Sequence, residues 1–321
     1  MKEPLDKGVF VETLTGYDQK LVPSDKAQHM LHIFLARAGV RGIILNGETG
    51  EFPSLSLAER KHLQDIALFD GTSLKVISHI GTSNLGDTLE LATHVIKLAQ
   101  TAPKGKFAGV AIIPPYFYPT RELGLKNYFE ILLRKIDEPV ILVNNPPFTM
   151  GNKITPSLLE SLKEFSQIMA IQDESGDIEF FKEMRQKIPE MPIYIAYESF
   201  FLNGLRGGAS GIISAIGNIF PELLVEMFTL SQKRAWDDIV TIQEQVIDIV
   251  TAVNRQPLHA ALKVGVTQRL PDFGPPNVRP PLANMNFQEI QLYLSEIAPI
   301  MKKYREEKPP EKKLLDQKLV I

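Results

Sequence analysis

The side chains able to do chemistry concentrate where eight short, apolar, β-branched runs end. Reading those ends in chain order gives Glu12 and Thr13; Asn46, Glu48, Thr49 and Glu51; His79, Thr82, Ser83 and Asn84; Tyr116 and Tyr118; Asn144 and Asn145; Gln172, Asp173, Glu174 and Ser175; Tyr197, Glu198 and Ser199; and Ser214. No Lys or Arg stands among them. Glu12, Glu48 and Glu198 bring three carboxylates near one mouth. Such a set works as an acid/base pair with separated pKa values, holds a divalent cation, or binds an amine. His79 is the one imidazole in the set, and no His-x-His or His-Glu-x-x-His spacing accompanies it. Hydrogen bonding of the carboxylates to loop backbone therefore explains them at least as well as a metal does.

The string Gly47-Glu48-Thr49-Gly50-Glu51 lies where a strand turns toward a helix. Its two glycines allow the backbone to approach a ligand, and free N–H groups near a helix start suit a carboxylate. A tight strand-to-helix turn with a capping threonine accounts for the same residues.

The elements that must position these groups are legible. The apolar runs lie at 8–15, 41–48, 75–82, 109–117, 139–145, 169–175, 193–199 and 210–217. Each is hydrophobic almost throughout rather than alternating, as strands covered on both faces are. Amphipathic stretches separate them. Ser24 starts one that Gly39 closes, Ser56 and Glu59 form a capping-box pattern, and Thr155 is followed by Pro156 at a first helical position. The first five strand starts recur about every 30 to 34 residues, a strand–helix repeat. Eight such units close most simply into a (β/α)8 TIM barrel; a doubly wound open sheet is the alternative, but no Gly-rich dinucleotide fingerprint follows the first strand. We expect the barrel over residues 1–220, a C-terminal helical extension over 221–307, and a charged tail over 308–321 broken by Pro309 and Pro310.

Composition narrows the function classes. With 35 Lys and Arg against 38 Asp and Glu, the 321-residue chain carries a formal charge of −3, which argues against a phosphate-backbone binder. Zero cysteines exclude a disulfide framework, a thiolate nucleophile and cysteine-ligated metal. No segment has the roughly 20 consecutive apolar residues of a membrane span, and MKEPLDKGVF lacks a signal-peptide core. A cytoplasmic protein is the expectation, with no nucleic acid and no membrane among its partners.

Over nearly its whole length the chain resembles the dihydrodipicolinate synthase and N-acetylneuraminate lyase family of class I aldolases. GETGEFPSLSLAER (47–60) is similar to the family's Gly-x-Thr-Gly-Glu segment, and IIPPYFYPTRELGLKNYF (112–129) to its Pro-Tyr-Tyr block. ILVNNPPFTMG (141–151) resembles the Tyr-Asn-x-Pro block, IQDESGD (171–177) the Lys-Asp-x-Ser-Gly-Asp block, and GASGIISAIGNIFPEL (208–223) the Gly-x-x-Gly-x-Ile-Ser stretch. The resemblance implies a lyase acting on 2-keto acids, no cofactor, and a homodimer or homotetramer.

The same resemblance exposes departures. The position of the family's imine-forming lysine holds Gln172, whose carboxamide has no nucleophilic amine. Val143, Phe117 and Glu48 stand where the proton relay has hydroxyl residues, and Phe148 where an arginine often meets the substrate. Thr49, whose family counterpart holds the keto-acid carboxylate, is retained, as are Gly47, Gly50, Glu51, Tyr116, Asn144, Pro146, Ser175, Gly176, Gly211 and Ile213. Among other lysines, Lys75 begins a strand at the wrong end of the barrel, and Lys153, Lys182 and Lys263 are expected to be solvated surface residues.

Two readings follow. The first is an enzyme with Glu48, Glu198 and Glu12 as catalytic acid/base groups. Its substrate, a 2-keto acid or a sugar-acid-like molecule, would bind around Thr49, Gly50, Asn144, Gln172, Tyr116 and Ile213, with no metal. The second is a non-catalytic pseudoenzyme that binds a ligand or partner. In either case, borohydride reduction in the presence of pyruvate is expected to leave the protein's mass unchanged. A covalent adduct on any lysine would overturn that expectation.

Overall fold

The computed structural model describes residues 5–306, so the charged tail expected over 308–321 lies outside the described residues. Eight parallel strands close into a barrel in sequence order: β1 (Gly8–Glu12), β2 (Gly42–Leu45), β3 (Lys75–His79), β4 (Phe107–Ile112), β5 (Val140–Asn144), β6 (Ile168–Asp173), β7 (Ile193–Ile195) and β8 (Gly211–Ser214). β8 returns to pair with β1, Gly8 opposite Gly211, and this closure leaves no exposed edge. The fold is the expected (β/α)8 TIM barrel. The helices are α1 (Asp25–Arg37), α2 (Leu57–Phe69), α3 (Leu85–Ala99), α4 (Glu122–Leu133), α5 (Pro156–Ser161), α6 (Ile178–Lys187), α7 (Phe201–Arg206), α8 (Pro221–Gln232), α9 (Trp236–Asn254), α10 (Leu258–Arg269) and α11 (Phe287–Glu306).

Two apolar populations hold the layers together. Outward residues such as Val9, Val11, Ile43, Val76, Val110 and Ile171 join the core beneath the helices, while Phe10, Ile44, Ile77, Ala111, Ile141, Ala170, Tyr194 and Ile213 fill the interior. Tyr194 closes the floor, its hydroxyl donating to the carbonyls of Leu5 (3.2 Å) and Asp6 (2.7 Å). Because strand side chains alternate, Glu12 shares the inward face of Phe10, and Gln172 that of Ala170. The inward position nearest each strand's C-terminal end therefore falls at the mouth of the barrel.

The helix starts follow the sequence signals. Ser24 caps α1, Thr155 caps α5, and the Ser56–Glu59 capping box is complete, with Glu59 N–H donating to Ser56 (3.2 Å) and Ser56 N–H to Glu59 (2.9 Å). α8 packs against β1 as the eighth helix of the barrel, and α9, where the chain continues beyond it, packs against α8. Among the described residues no helix is long and apolar enough to cross a membrane.

Lys263 departs from its expected surface position. It is fully buried on α10, ion-paired with the buried Glu51 and donating to the carbonyl of Asn277 at 2.7 Å. Its ammonium also sits 4.0 Å from the Tyr17 ring centre, and burial lowers its pKa to about 8. A helical period in which Ala260, Ala261, Leu262 and Val264 are also buried leaves α10 with no solvent face at this level, which the charge of the residue type conceals. The pair fastens the extension to the loop after β2, and Arg279 adds a second tie through its ion pair with Glu59. Lys263→Met should cost about 3–5 kcal/mol in chemical denaturation, because it strands the Glu51 carboxylate in the interior. An unchanged unfolding midpoint would contradict this placement.

Candidate active site at the barrel mouth

The loop after β2 is held in an uncommon conformation. Asn46 and Glu51 bracket it with φ of 61° and 59°, left-handed values that non-glycine residues adopt rarely and that fixed partners must maintain. Asn46 donates to the carbonyl of Arg60 (3.0 Å), while Glu51 accepts from Arg279 N–H (3.0 Å) besides pairing with Lys263. Between them Gly47 is obligatory for a local reason: a Cβ there would lie 1.7 Å from Glu12 Oε1. The close approach that glycine permits is thus to the protein's own glutamate.

That glutamate is bound as a ligand would be. Thr49 donates both its backbone N–H (3.1 Å) and its hydroxyl (2.6 Å) to Glu12 Oε2. Burial raises the pKa of Glu12 while the two Thr49 bonds oppose the rise. The donor pair expected to receive a substrate carboxylate is therefore occupied.

Glu12 and Thr49 form part of the wall of a cavity of about 380 Å³ that also takes in Glu48, Asn145, Gln172, Glu174, Glu198 and Ile213. Asn145, at the end of β5, spends both amide hydrogens on carboxyls from the loops after β2 and β6, reaching Glu48 Oε2 at 3.0 Å and Glu174 Oε2 at 2.6 Å. Gln172 Nε2 donates to the other oxygen of Glu174, and the buried Gln172 Oε1 has no donor. Desolvation and the charge of Glu12 push Glu48 up to about 7; desolvation, then Glu12 and Glu48, hold Glu174 well above the usual carboxylate range. No Lys or Arg lines the cavity among the described residues.

Glu198 is anchored differently. Its Oε1 accepts from Ser214 Oγ (2.7 Å), Ala215 N–H (2.9 Å) and Ile216 N–H (3.2 Å), the donors at the end of β8. The extension supplies the remaining side of the cavity through Val250, Val253 and Asn254 of α9 and Leu258 of α10. His259 joins that wall to the β2 loop, its Nε2 lying 2.9 Å from the carbonyl of Glu48.

Of the residues singled out from sequence, Glu12, Glu48, Glu198, Thr49, Gln172 and Ile213 meet at this cavity. Gly50, Asn144 and Tyr116 lie outside its lining. The Gly50 carbonyl accepts from Thr15 Oγ1 (2.7 Å). Asn144 is buried, donating to Asp173 (3.0 Å) and accepting from Ile154 N–H (2.9 Å). Tyr116 packs its ring on Phe52 and Phe148, 5.5 and 5.6 Å between centres. His79 is buried beneath the mouth, and desolvation lowers its pKa to about 3. Among the described residues no three His, Asp or Glu side chains converge to hold a metal ion. Glu174 and Asn145 stood in the strand-end inventory without being singled out; His259, outside the strands, had no sequence signal.

Comparison with known proteins agrees with the fold. The model of the dihydrodipicolinate synthetase family matches residues 6–299. An uncharacterized DapA-like lyase of Chloroflexus aurantiacus is 29% identical over 301 residues, 90% of this chain and 95% of its own. The putative 2-dehydro-3-deoxy-D-gluconate aldolase YagE of Escherichia coli is 31% identical over 211 residues, 64% of this chain and 65% of its own. The crystal structure of YagE in complex with pyruvate superposes with a TM-score of 0.85 at 23% identity, covering 93% of this chain and 99% of that one.

The raised carboxyls carry a stability signature. Glu48 and Glu174 titrate above the ordinary glutamate value in the folded state, so the native protein binds more protons than the unfolded chain between about pH 4.5 and the folded values. Their contribution is present in full below the unfolded pKa and is lost as pH rises through the folded ones. The thermal midpoint should fall between about pH 6 and about pH 8, and Glu174→Gln should flatten that fall. A variant whose midpoint tracks the parent across the range would contradict the assignment.

Proposed function

The chain belongs to the dihydrodipicolinate synthetase family, and from that premise we propose that it is a lyase working through the carboxyl pair Glu48 and Glu174 rather than through an imine. The observation that carries the reading is the shared Asn145 amide: it holds two carboxyls side by side in one cavity, with their pKa values pushed above the ordinary range. Near neutrality Glu48 is partly ionised, and Glu174, whose proton is favoured by burial and by the charges of Glu12 and Glu48, takes the complementary acid role, the division of labour that general base and general acid require. Glu48 removes a proton from the substrate, and Glu174 returns one to the group that departs, in carbon–carbon cleavage or loss of water.

Two observations support the absence of imine chemistry. No lysine lines the cavity among the described residues, and the resemblance of IQDESGD to the family's block puts Gln172, on β6, at the position of the lysine. Lys263, buried in its pair with Glu51, is not part of the lining either. A second reading, a binding protein without turnover, is favoured by how fully Glu12 and Glu198 are bonded to the protein's own donors.

A thermal-shift screen of keto acids and sugar acids, followed by turnover assays on whatever stabilises the fold, separates the two, since any native-state ligand raises the midpoint. For a substrate found this way, Glu48→Gln should lower kcat by about 10²–10⁴-fold. The parent's kcat/KM should climb with pH through about 7 as Glu48 ionises, and fall at higher pH as Glu174 loses its proton. Turnover indifferent to Glu48→Gln would end the acid/base reading; stabilisation without turnover would leave the binding protein.

A further inference from the structure

The charged side chains of the cavity are one-sided. Carboxyls of Glu12, Glu48, Glu174 and Glu198 line it, and so does Gln172, whose buried amide oxygen lacks a donor. The donors suited to gripping an anion are already taken. Thr49 N–H and hydroxyl are spent on Glu12 (3.1 and 2.6 Å), and Ala215 and Ile216 N–H on Glu198 (2.9 and 3.2 Å). An incoming carboxylate would meet four carboxyl groups, in a wall without Lys or Arg, and would lose its hydration for like-charge repulsion. The orphaned Gln172 oxygen independently asks for a donor, because a buried acceptor without one costs free energy until a ligand supplies it.

We infer that the cavity takes a small hydroxylated molecule bearing a protonated amine, rather than a carboxylate. The inference rests on the reading above only in placing the ligand at this mouth. A primary ammonium offers three donors and a positive charge, which matches clustered carboxyls and a free carbonyl. The rings of Phe148 and Tyr197 in the wall give apolar faces that tolerate a cation. A cavity of about 380 Å³ suits a compact ligand.

Binding must also expel protons. Glu48 is surrounded by Glu12 of β1, Glu174 after β6, Tyr197 and Glu198 after β7, and His259 of α10. An ammonium added among them favours the ionised carboxyls, so its affinity should rise with pH while the amine itself, with an ordinary pKa of about 10, stays charged.

Titration calorimetry with D-glucamine, D-sorbitol and D-gluconate tests this, since the three polyols differ at one terminal group: ammonium, hydroxyl or carboxylate. Glucamine should bind about tenfold more tightly than sorbitol, gluconate should give no binding heat, and glucamine affinity should increase from about pH 6 to about pH 8 with buffer-dependent proton release. Glu12→Ala frees the Thr49 donors and should let gluconate bind. Glu174→Gln, which leaves the Glu12–Thr49 contact intact, should weaken glucamine about tenfold without admitting gluconate. Gluconate bound as tightly as glucamine by the parent protein, or no binding of glucamine, would overturn the inference. Glucamine binding without turnover of any amine would remove the acid/base reading and leave this one; gluconate preferred, with Glu48-dependent turnover, would do the reverse.

Discussion

Four carboxyl groups share one partly desolvated barrel mouth with no cation among the residues that line it, and the rest of the site is arranged around that constraint. Two solutions coexist. Glu12 and Glu198 stay where backbone and hydroxyl donors can satisfy a charge, each gathering its bonds on a single oxygen. Glu48 and Glu174 lack such donors and share Asn145 instead, so protonation is the cheaper way to relieve their crowding. The geometry of the loop after β2 follows from the first solution: the Glu12 carboxylate lies where a side chain on residue 47 would stand, so Gly47 is tied to Glu12 as closely as Thr49 is.

The same constraint gives the helical extension its purpose. A parallel barrel ends in loops on one face, open to water. Here α9 and α10 close one flank of that face with Val250, Val253 and Leu258, which lowers the local polarity around the carboxyls. The Lys263–Glu51 and Arg279–Glu59 pairs hold the closure in register, so these two cations are spent on architecture outside the cavity lining.

Much of this was legible in the sequence. Eight apolar runs announced eight strands, because a parallel barrel strand is covered on both faces. Their C-terminal limits were read too long: the run at 41–48 continues past β2, which ends at Leu45, because Asn46 turns left-handed and begins the site loop. Glu12 and Gln172 stand in the inventory of strand ends, and strand alternation turns both toward the mouth. The Glu48–Asn145–Glu174 bridge was not visible, since it depends on three strand ends meeting across the barrel and not on any spacing within one segment. The burial of Lys263 is not legible, because an isolated lysine on a helix ordinarily lies at the surface and its partner, Glu51, is about two hundred residues away in the chain. The occupation of Thr49 by Glu12 had no sequence signature beyond an unusual glutamate on β1.

The central claim is that this cluster keeps a proton at neutral pH, and infrared spectroscopy of the protein with isotope-labelled glutamate reads it directly. A protonated carboxyl band should persist near pH 7, far above the ordinary glutamate pKa of about 4.3, and weaken in Glu174→Gln, with the share of Glu48 remaining. Complete ionisation of all glutamates by about pH 6 would contradict the account.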